Sequence, residues 1–263
     1  MPRRERLEAS ISQDGNRINV RIGTENLFYE VEGIDLPPLA DQSFLLWHLA
    51  AYGLEMRHDV HLAGPVDPVA LANVRRMVRT WAMWQPGNLP RISVTADEVT
   101  VPPPALTSDK ATCFSGGLDA TCMMLRRGRL ETTGTAVTLH GMDYDLEPDD
   151  KFNQLLAKTA PLLDHLNYRR VVIRSNATRI LSSNFHSWAM AIAGNAWLLS
   201  GVFSSAEMAA DMSLEQDLMI FPWGLNGVTS RYFEGSTFRL ETRDQDVTRT
   251  QKAAIVASDL VAL

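Results

Sequence analysis

The stretch Cys113-Phe-Ser-Gly-Gly-Leu-Asp-Ala-Thr-Cys-Met-Met124 constrains this chain most, because a short apolar segment runs through paired glycines into an amphipathic helix. Paired glycines let the main chain turn tightly and approach a ligand, and the following helix points unpaired N–H groups and its positive dipole end into the turn. An isolated Gly-Gly between a strand and a helix is only a turn. Here Ala111–Phe114 reads as a buried strand and Ala120–Arg127 as a helix, while Ser115 and Asp119 place a hydroxyl and a carboxylate on either side of Gly116 and Gly117. A phosphate fits there. The pattern GxxxxGK[ST] is absent, so the turn is not a Walker loop.

A chain of 263 residues, 45% hydrophobic and 21% charged, can bury a full core as one large or two modest domains. Its formal charge of −6 argues against a protein held mainly by nucleic-acid phosphates, so small molecules or protein partners fit better. Cys113 and Cys122 are the only cysteines, both at positions expected to face the core, too few for a disulfide framework or a zinc cluster. The basic start Met1-Pro-Arg-Arg-Glu-Arg leads into no apolar signal core, and no apolar run approaches the roughly 20 residues of a membrane span. A cytoplasmic protein without a membrane anchor is expected.

The first hundred residues have their own texture. Arg17–Ile22 and Leu27–Val31 alternate apolar with polar residues, with a hairpin-like Gly23-Thr-Glu-Asn between them. Asp41–Met56 has helical spacing and Asp59–Ala63 reads as a strand; Asp67 then caps a helix with Pro68 at its first position, running to about Trp84. The helical spacing of Trp47, Trp81 and Trp84 assigns them to core packing rather than base stacking. Arg91–Thr95 predicts a further strand, and Val101-Pro102-Pro103-Pro104 ends the unit. The expected division is a small α/β domain over 1–104 and a second domain over 105–263.

From Ala111 onward strands alternate with helices: strands at Gly134–Leu139, Arg170–Arg174 and Val202–Ser205, helices near Asp149–Leu166 and Ser183–Leu199. That alternation predicts a parallel sheet covered on both faces, with ligands at the carboxyl ends of its strands. The segments after those strands are therefore the candidate site. They include His140-Gly141-Met142-Asp143-Tyr144-Asp145, where Gly141 allows close approach and the carboxylates either suit magnesium or a ribose or belong to a solvated loop; Arg174-Ser175-Asn176; and Ser183-Asn184-Phe185-His186, where His186 either meets a ligand or packs. Phe221-Pro222-Trp223-Gly224-Leu225-Asn226 is an apolar turn suited to a pocket wall, and Arg249 and Lys252, one helical turn apart, either clamp a polyphosphate or solvate a helix face.

Ser115 to Asp119 resembles the SGGxDS signature of the PP-loop ATP pyrophosphatases, which cleave ATP between its α and β phosphates to adenylate a substrate. The leading unit with its Gly-Pro-Val turn, His140 to Asp143, Asn176, the His186 helix, Pro222-Trp223-Gly224 and the Arg249 to Lys252 pair extend the likeness to the 7-cyano-7-deazaguanine synthase-like proteins, including branches found in bacterial defence gene clusters. The resemblance implies a Rossmann-like fold of the adenine nucleotide alpha hydrolase type. It also implies ATP and Mg2+ as cofactors, and adenylation of a carboxylate such as 7-carboxy-7-deazaguanine, which ammonia converts to an amide and a second ATP to a nitrile. It assigns catalysis to Ser115, Asp119, Arg249 and Lys252, and nucleotide binding to Phe114, Ser115, Gly116, Gly117, Leu118, Asp119, Thr121, Leu139, His140, Gly141 and Asn176. The substrate falls to His186, Pro222, Trp223, Gly224 and Asn226, and magnesium to Asp119 or Asp143.

The chain departs from these relatives in carrying Ala120 where a serine is expected, and Asn226 and Ser230 where a histidine and an aspartate often stand; it also lacks the terminal zinc-binding cysteines, so zinc is not expected within it. Two classes stay open: a ligase acting on a small-molecule or protein-borne carboxylate, and a degenerate member serving as a nucleotide-binding or scaffolding subunit. Protein partners from the same gene cluster and a homodimer fit either one. Thiolation of transfer RNA is disfavoured by the acidic charge and by the lack of an exposed cysteine pair.

Overall fold

The computed structural model describes residues 5–181, 185–219, 222–259 and 261. The expectations placed on Ser183, Asn184 and Phe221 lie outside the described residues.

The alternation read in the first hundred residues appears as a meander, β1 (Arg6–Asp14), β2 (Arg17–Ile22) and β3 (Glu25–Glu32), paired antiparallel in sequence. In β2 every second residue is buried, so Ile18, Val20 and Ile22 enter the core while Arg17, Asn19 and Arg21 face solvent. Helix α1 (Ser43–Met56) follows, then β4 (Asp59–Val66), α2 (Pro68–Trp84) and β5 (Val94–Val99). Asp67 caps α2 as its sequence demands, its Oδ1 accepting from the N–H groups of Val69 and Ala70 at 2.8 and 2.9 Å.

The repeating half consists of β6 (Thr107–Cys113), α3 (Leu118–Arg127), β7 (Gly134–His140), α4 (Asp150–Leu166), β8 (Tyr168–Ser175), α5 (Ala177–Leu181), α6 (Phe185–Trp197) and β9 (Phe203–Ala209). Helix α7 (Leu214–Met219), a 3-10 turn (Thr229–Tyr232), β10 (Arg239–Arg243) and α8 (Arg249–Ala257) complete it. Strands β6 to β10 pair in parallel in the order β10-β9-β6-β7-β8, as expected of a Rossmann-like α/β fold.

One ten-stranded sheet, mostly parallel, runs through both halves in the order β10-β9-β6-β7-β8-β3-β2-β1-β4-β5. The junction is an antiparallel pairing of β3 with β8 that sets Tyr29 opposite Ser175 and Val31 opposite Ile173. The boundary expected at Pro102–Pro104 falls between β5 and β6, at which point the chain passes from one edge of the sheet to its other half. Helices α1, α2 and α6 cover one face over a large core in which Trp47 and Trp81 are fully buried. On the other face α3 and α4 cover a smaller cluster around Phe114, Met124 and Leu163, and α8 packs on α3. Among the described residues no helix is long and apolar enough to cross a membrane.

Candidate active site

The turn after β6 forms as its residues require. Gly116 takes φ +73°, a left-handed conformation open to glycine, and Gly117 then caps α3 in extended geometry. The Ser115 hydroxyl accepts the Gly117 N–H at 3.3 Å, and Thr138 of β7 donates its hydroxyl to the Phe114 carbonyl at 2.9 Å, fixing the strand end from which the turn leaves. Ser115 and Gly117 are exposed. The turn is a wall between two cavities at the carboxyl ends of β6, β7 and β9.

The first is a cleft of about 440 Å³ bordered by Ser115, Gly117, Asp119 and Arg249, with Trp188, Ile192, Met142 and Trp223 supplying apolar surface. That mix of apolar walls and a few convergent polar groups is the usual make-up of a small-molecule site. The second, about 780 Å³, lies on the other flank of Gly116 and is bordered by Tyr144, Lys151 and the carboxylates of Asp143, Asp145 and Asp150.

Behind the turn, Asp119 in the first turn of α3 accepts a hydrogen bond from Lys252 Nζ at 3.0 Å, and Arg249 lies 3.9 Å from its other oxygen. Lys252 is fully buried and also donates to the Ala210 carbonyl, which ties α3, α8 and the end of β9 together. Arg249, paired loosely with Asp119 and with two-thirds of its side chain exposed, borders the cleft. The two alternatives read for this pair thus divide between its members, Arg249 facing the cleft and Lys252 supporting it.

Asp211, after β9, accepts the Trp223 indole N–H at 2.8 Å. Burial raises its carboxyl above the ordinary range and the Asp119 charge adds to this, while the Trp223 bond and the cations Lys252 and Arg249 oppose it. Burial likewise raises Asp143, although that residue is exposed at the rim. Cys113, expected in the core, ends β6 and so stands partly exposed in the cleft wall; burial of its thiol, with the Glu207 charge beside it, pushes it up to about 12. It is therefore a neutral thiol rather than a nucleophile. Cys122 is buried.

Not every expected site residue meets the cleft. Phe114, Leu139 and Trp223 line it, whereas Leu118 sits at the start of α3 and Thr121 is buried in that helix. His140 is buried, stacked on Phe152 at 3.9 Å, and its Nε2 lies 2.9 Å from the Asp145 carbonyl. Gly141 has φ +101°, and a Cβ there would stand 2.0 Å from the Ser175 carbonyl, so the close approach it permits is to β8. Asn176 accepts the Phe28 N–H and donates to the Asn26 carbonyl, fastening the end of β8 to β3. His186 is buried against Trp81 with Glu55 nearby, and burial lowers its pKa. Pro222 is half-buried and Gly224 buried; Asn226 organises its own loop, donating to the Trp223 carbonyl and Thr229 and accepting the N–H groups of Val228 and Thr229.

Trp188, Ile192, Met208, Asp211 and Met212 complete the cleft without a motif to mark them. The signal available was positional: Trp188 and Ile192 stand one helical turn apart on α6, and Asp211 and Met212 follow the end of β9.

No protein-family model, no curated protein and no solved structure matches the chain.

Proposed function

We propose that the cleft binds ATP with its phosphates against the Ser115–Gly117 turn and adenylates a carboxylate. The observation that carries this reading is the turn itself, exposed at the carboxyl edge of a parallel sheet, opening a helix and bordering the same cleft as Arg249. The N–H groups of Gly116 and Gly117 and the Ser115 hydroxyl suit the β and γ phosphates. A carboxylate oxygen attacks the α phosphorus, the bond to the β-phosphate oxygen breaks, and Arg249 stabilises the departing pyrophosphate. Ammonia then attacks the acyl carbon, AMP leaves, and the surplus proton passes to solvent, giving an amide; with a second ATP the amide is dehydrated to a nitrile. Trp188, Ile192 and Met142 offer a planar ring a dry wall.

Magnesium would neutralise phosphate charge. Among the described residues no group of three or more His, Cys, Asp or Glu side chains is arranged to hold a metal by itself, and Asp119 is engaged by Lys252. Asp143, on the rim shared by both cavities, fits as the protein's contribution, the remaining ligands being phosphate and water. The substrate is a carboxylate on a small molecule or a protein, in the cytoplasm, with companion subunits from the same gene cluster or a second copy as partners.

A second reading, a nucleotide-binding or scaffolding subunit, is favoured by Ala120, which borders the cleft with a methyl group where relatives have a hydroxyl, and by Asn226, whose polar atoms are all occupied within its own loop. The test is incubation with ATP, magnesium, ammonium and 7-carboxy-7-deazaguanine while AMP and pyrophosphate are followed. Product that falls in Ser115→Ala and Arg249→Ala supports catalysis. ATP binding by calorimetry with no AMP from any carboxylate selects the scaffold, and no ATP binding removes both readings.

A further inference from the structure

At the edge of the sheet farthest from β10, a groove of about 280 Å³ lies between α2 and β5 and is bordered by Arg75, Arg79 and Arg91 with Ser93 and Thr95. Among the described residues no carboxylate lines it. Arg75 is fixed in place because its Nε donates to the Val94 carbonyl at 2.8 Å, a bond that leaves its two terminal nitrogens for other acceptors. Arg79 follows one turn later on the same helix face, and among the described residues it has no ion pair or hydrogen bond. Helix α2 carries three arginines and no acidic residue along its 17 positions, in a chain whose formal charge is −6. Arg75 and Arg79, one turn apart on α2, repel one another in a groove where no described carboxylate offsets them, and an anion relieves that repulsion.

We propose that this groove is an anion site for a phosphoryl group, separate from the cleft and independent of what the cleft does. Guanidinium groups bind phosphate oxygens in a planar, two-point manner, and the Ser93 hydroxyl adds a neutral donor beside them. The groove is large enough for one or two phosphoryl groups and too small for a whole nucleotide coenzyme. Its ligand is therefore a small phosphoanion or one stretch of a nucleic-acid backbone.

The test uses the full chain with two probes at about 0.1 M salt: inorganic pyrophosphate by equilibrium dialysis, and a short fluorescent single-stranded DNA by anisotropy. Arg79→Glu is compared with Arg76→Glu, a neighbour outside the groove that carries the same change of charge; Arg76 is exposed and donates to Asn73. Pyrophosphate can also enter the cleft, which both variants leave intact, so the difference between the two variants reports the groove. We expect Arg79→Glu to weaken one probe about tenfold while Arg76→Glu stays within about twofold. Arg79→Gln should fall between, and it guards against misfolding caused by the new carboxylate. Loss confined to pyrophosphate assigns a small anion, and loss of the DNA assigns a backbone. Equal weakening by Arg79→Glu and Arg76→Glu, no effect of Arg79→Glu, or no binding of either probe by the wild type overturns the proposal.

Discussion

One face of the sheet is held by a large apolar core, the other by a smaller apolar cluster joined to charged ties. Under α1, α2 and α6 the contacts are apolar and aromatic: Trp47 packs on Trp197 and Phe233 with ring centroids 5.8 and 5.2 Å apart, and Trp81 meets Trp84 edge-on. Under α3 and α8 the ties are charged. Asp119 meets Lys252, and Glu207, fully buried, accepts from Thr112 and is bridged by Arg127 and Arg243. Arg126 joins Asp244 and Asp246 at the other end of α3. The charged face is also the one from which the glycine turn springs. A turn proposed to hold a polyanion needs to stay rigid beside water, and buried ion pairs fix α3 and α8 in direction as well as in distance. Apart from Trp188 and Ile192 of α6 at the cleft wall, bulk fills the aromatic face.

The largest effect expected from this contrast is at Asp119. Its replacement by alanine leaves the Lys252 ammonium buried without its carboxylate, and removing one partner of a buried pair destabilises by about 3–5 kcal/mol. Lys252→Met removes the buried charge itself and leaves Asp119 part-exposed with Arg249 at 3.9 Å, so its loss should be smaller, about 1–2 kcal/mol. Urea unfolding of both variants decides it: equal losses would mean that the pair contributes through packing and not through charge. The same argument makes Asp119→Ala a poor probe of catalysis, since lost activity and lost fold coincide.

Gly141→Ala should come next. The new Cβ would meet the Ser175 carbonyl at 2.0 Å, and the φ of +101° disfavours any side chain, so the β7–β8 edge must shift at a loss of about 2–3 kcal/mol. A thermal melt within a degree of wild type would show that the edge yields freely and that rigidity is not what distinguishes the charged side.

How much of this contrast the residues announce differs from place to place. The β2 alternation, the Asp67–Pro68 cap and the strand–turn–helix at Ser115 are local patterns, and each forms where the spacing predicts it. Strand β1 escapes because Ala9, Ser10 and Ser12 favour strands weakly and its faces stay half-exposed; β10 escapes because Leu240 is its lone apolar residue at the sheet edge. Strand β5 appears three residues later than Arg91, since its register is set by pairing with β4. The positions of Asn176 and His186 depend on contacts across the whole chain: Asn176 binds the backbone of Phe28, 148 residues earlier, and His186 meets Trp81 of α2. No local pattern carries that information, so a polar residue after a strand reads the same whether it faces a ligand or a distant strand.

Titration separates the faces more finely. His48 is fully buried beside Tyr29, its ring nitrogens have no partner among the described residues, and burial lowers its pKa to about 3. Its folded pKa lies below the unfolded value near 6.5, so below that pH the unfolded chain binds the extra proton. The stability linked to His48 is therefore full above about pH 6.5 and lost progressively as pH falls towards 3, by up to about 1.4 kcal/mol per unit. His48→Leu should flatten the slope of unfolding free energy between pH 6 and 4.5 by about one proton. An unchanged slope would mean that the aromatic face is already open to protons and is less dry than its packing indicates.

The smallest effect on the fold should come from the residue closest to the proposed chemistry. Gly117 has ordinary backbone angles, and a Cβ there would meet only the Ser115 hydroxyl at 3.2 Å. Alanine is a poorer helix cap than glycine by a few tenths of a kcal/mol or more, and it stiffens the unfolded chain by a similar amount, so Gly117→Ala should change stability by less than about 0.5 kcal/mol. Its methyl group would nevertheless crowd the Ser115 hydroxyl, one of the groups proposed to hold the phosphates. Calorimetry with ATP and magnesium should then show affinity reduced about tenfold or more in a protein that melts like wild type. Undiminished affinity would move the triphosphate off this turn, leaving the charged ties behind it to be explained as supports for α3 and α8 alone.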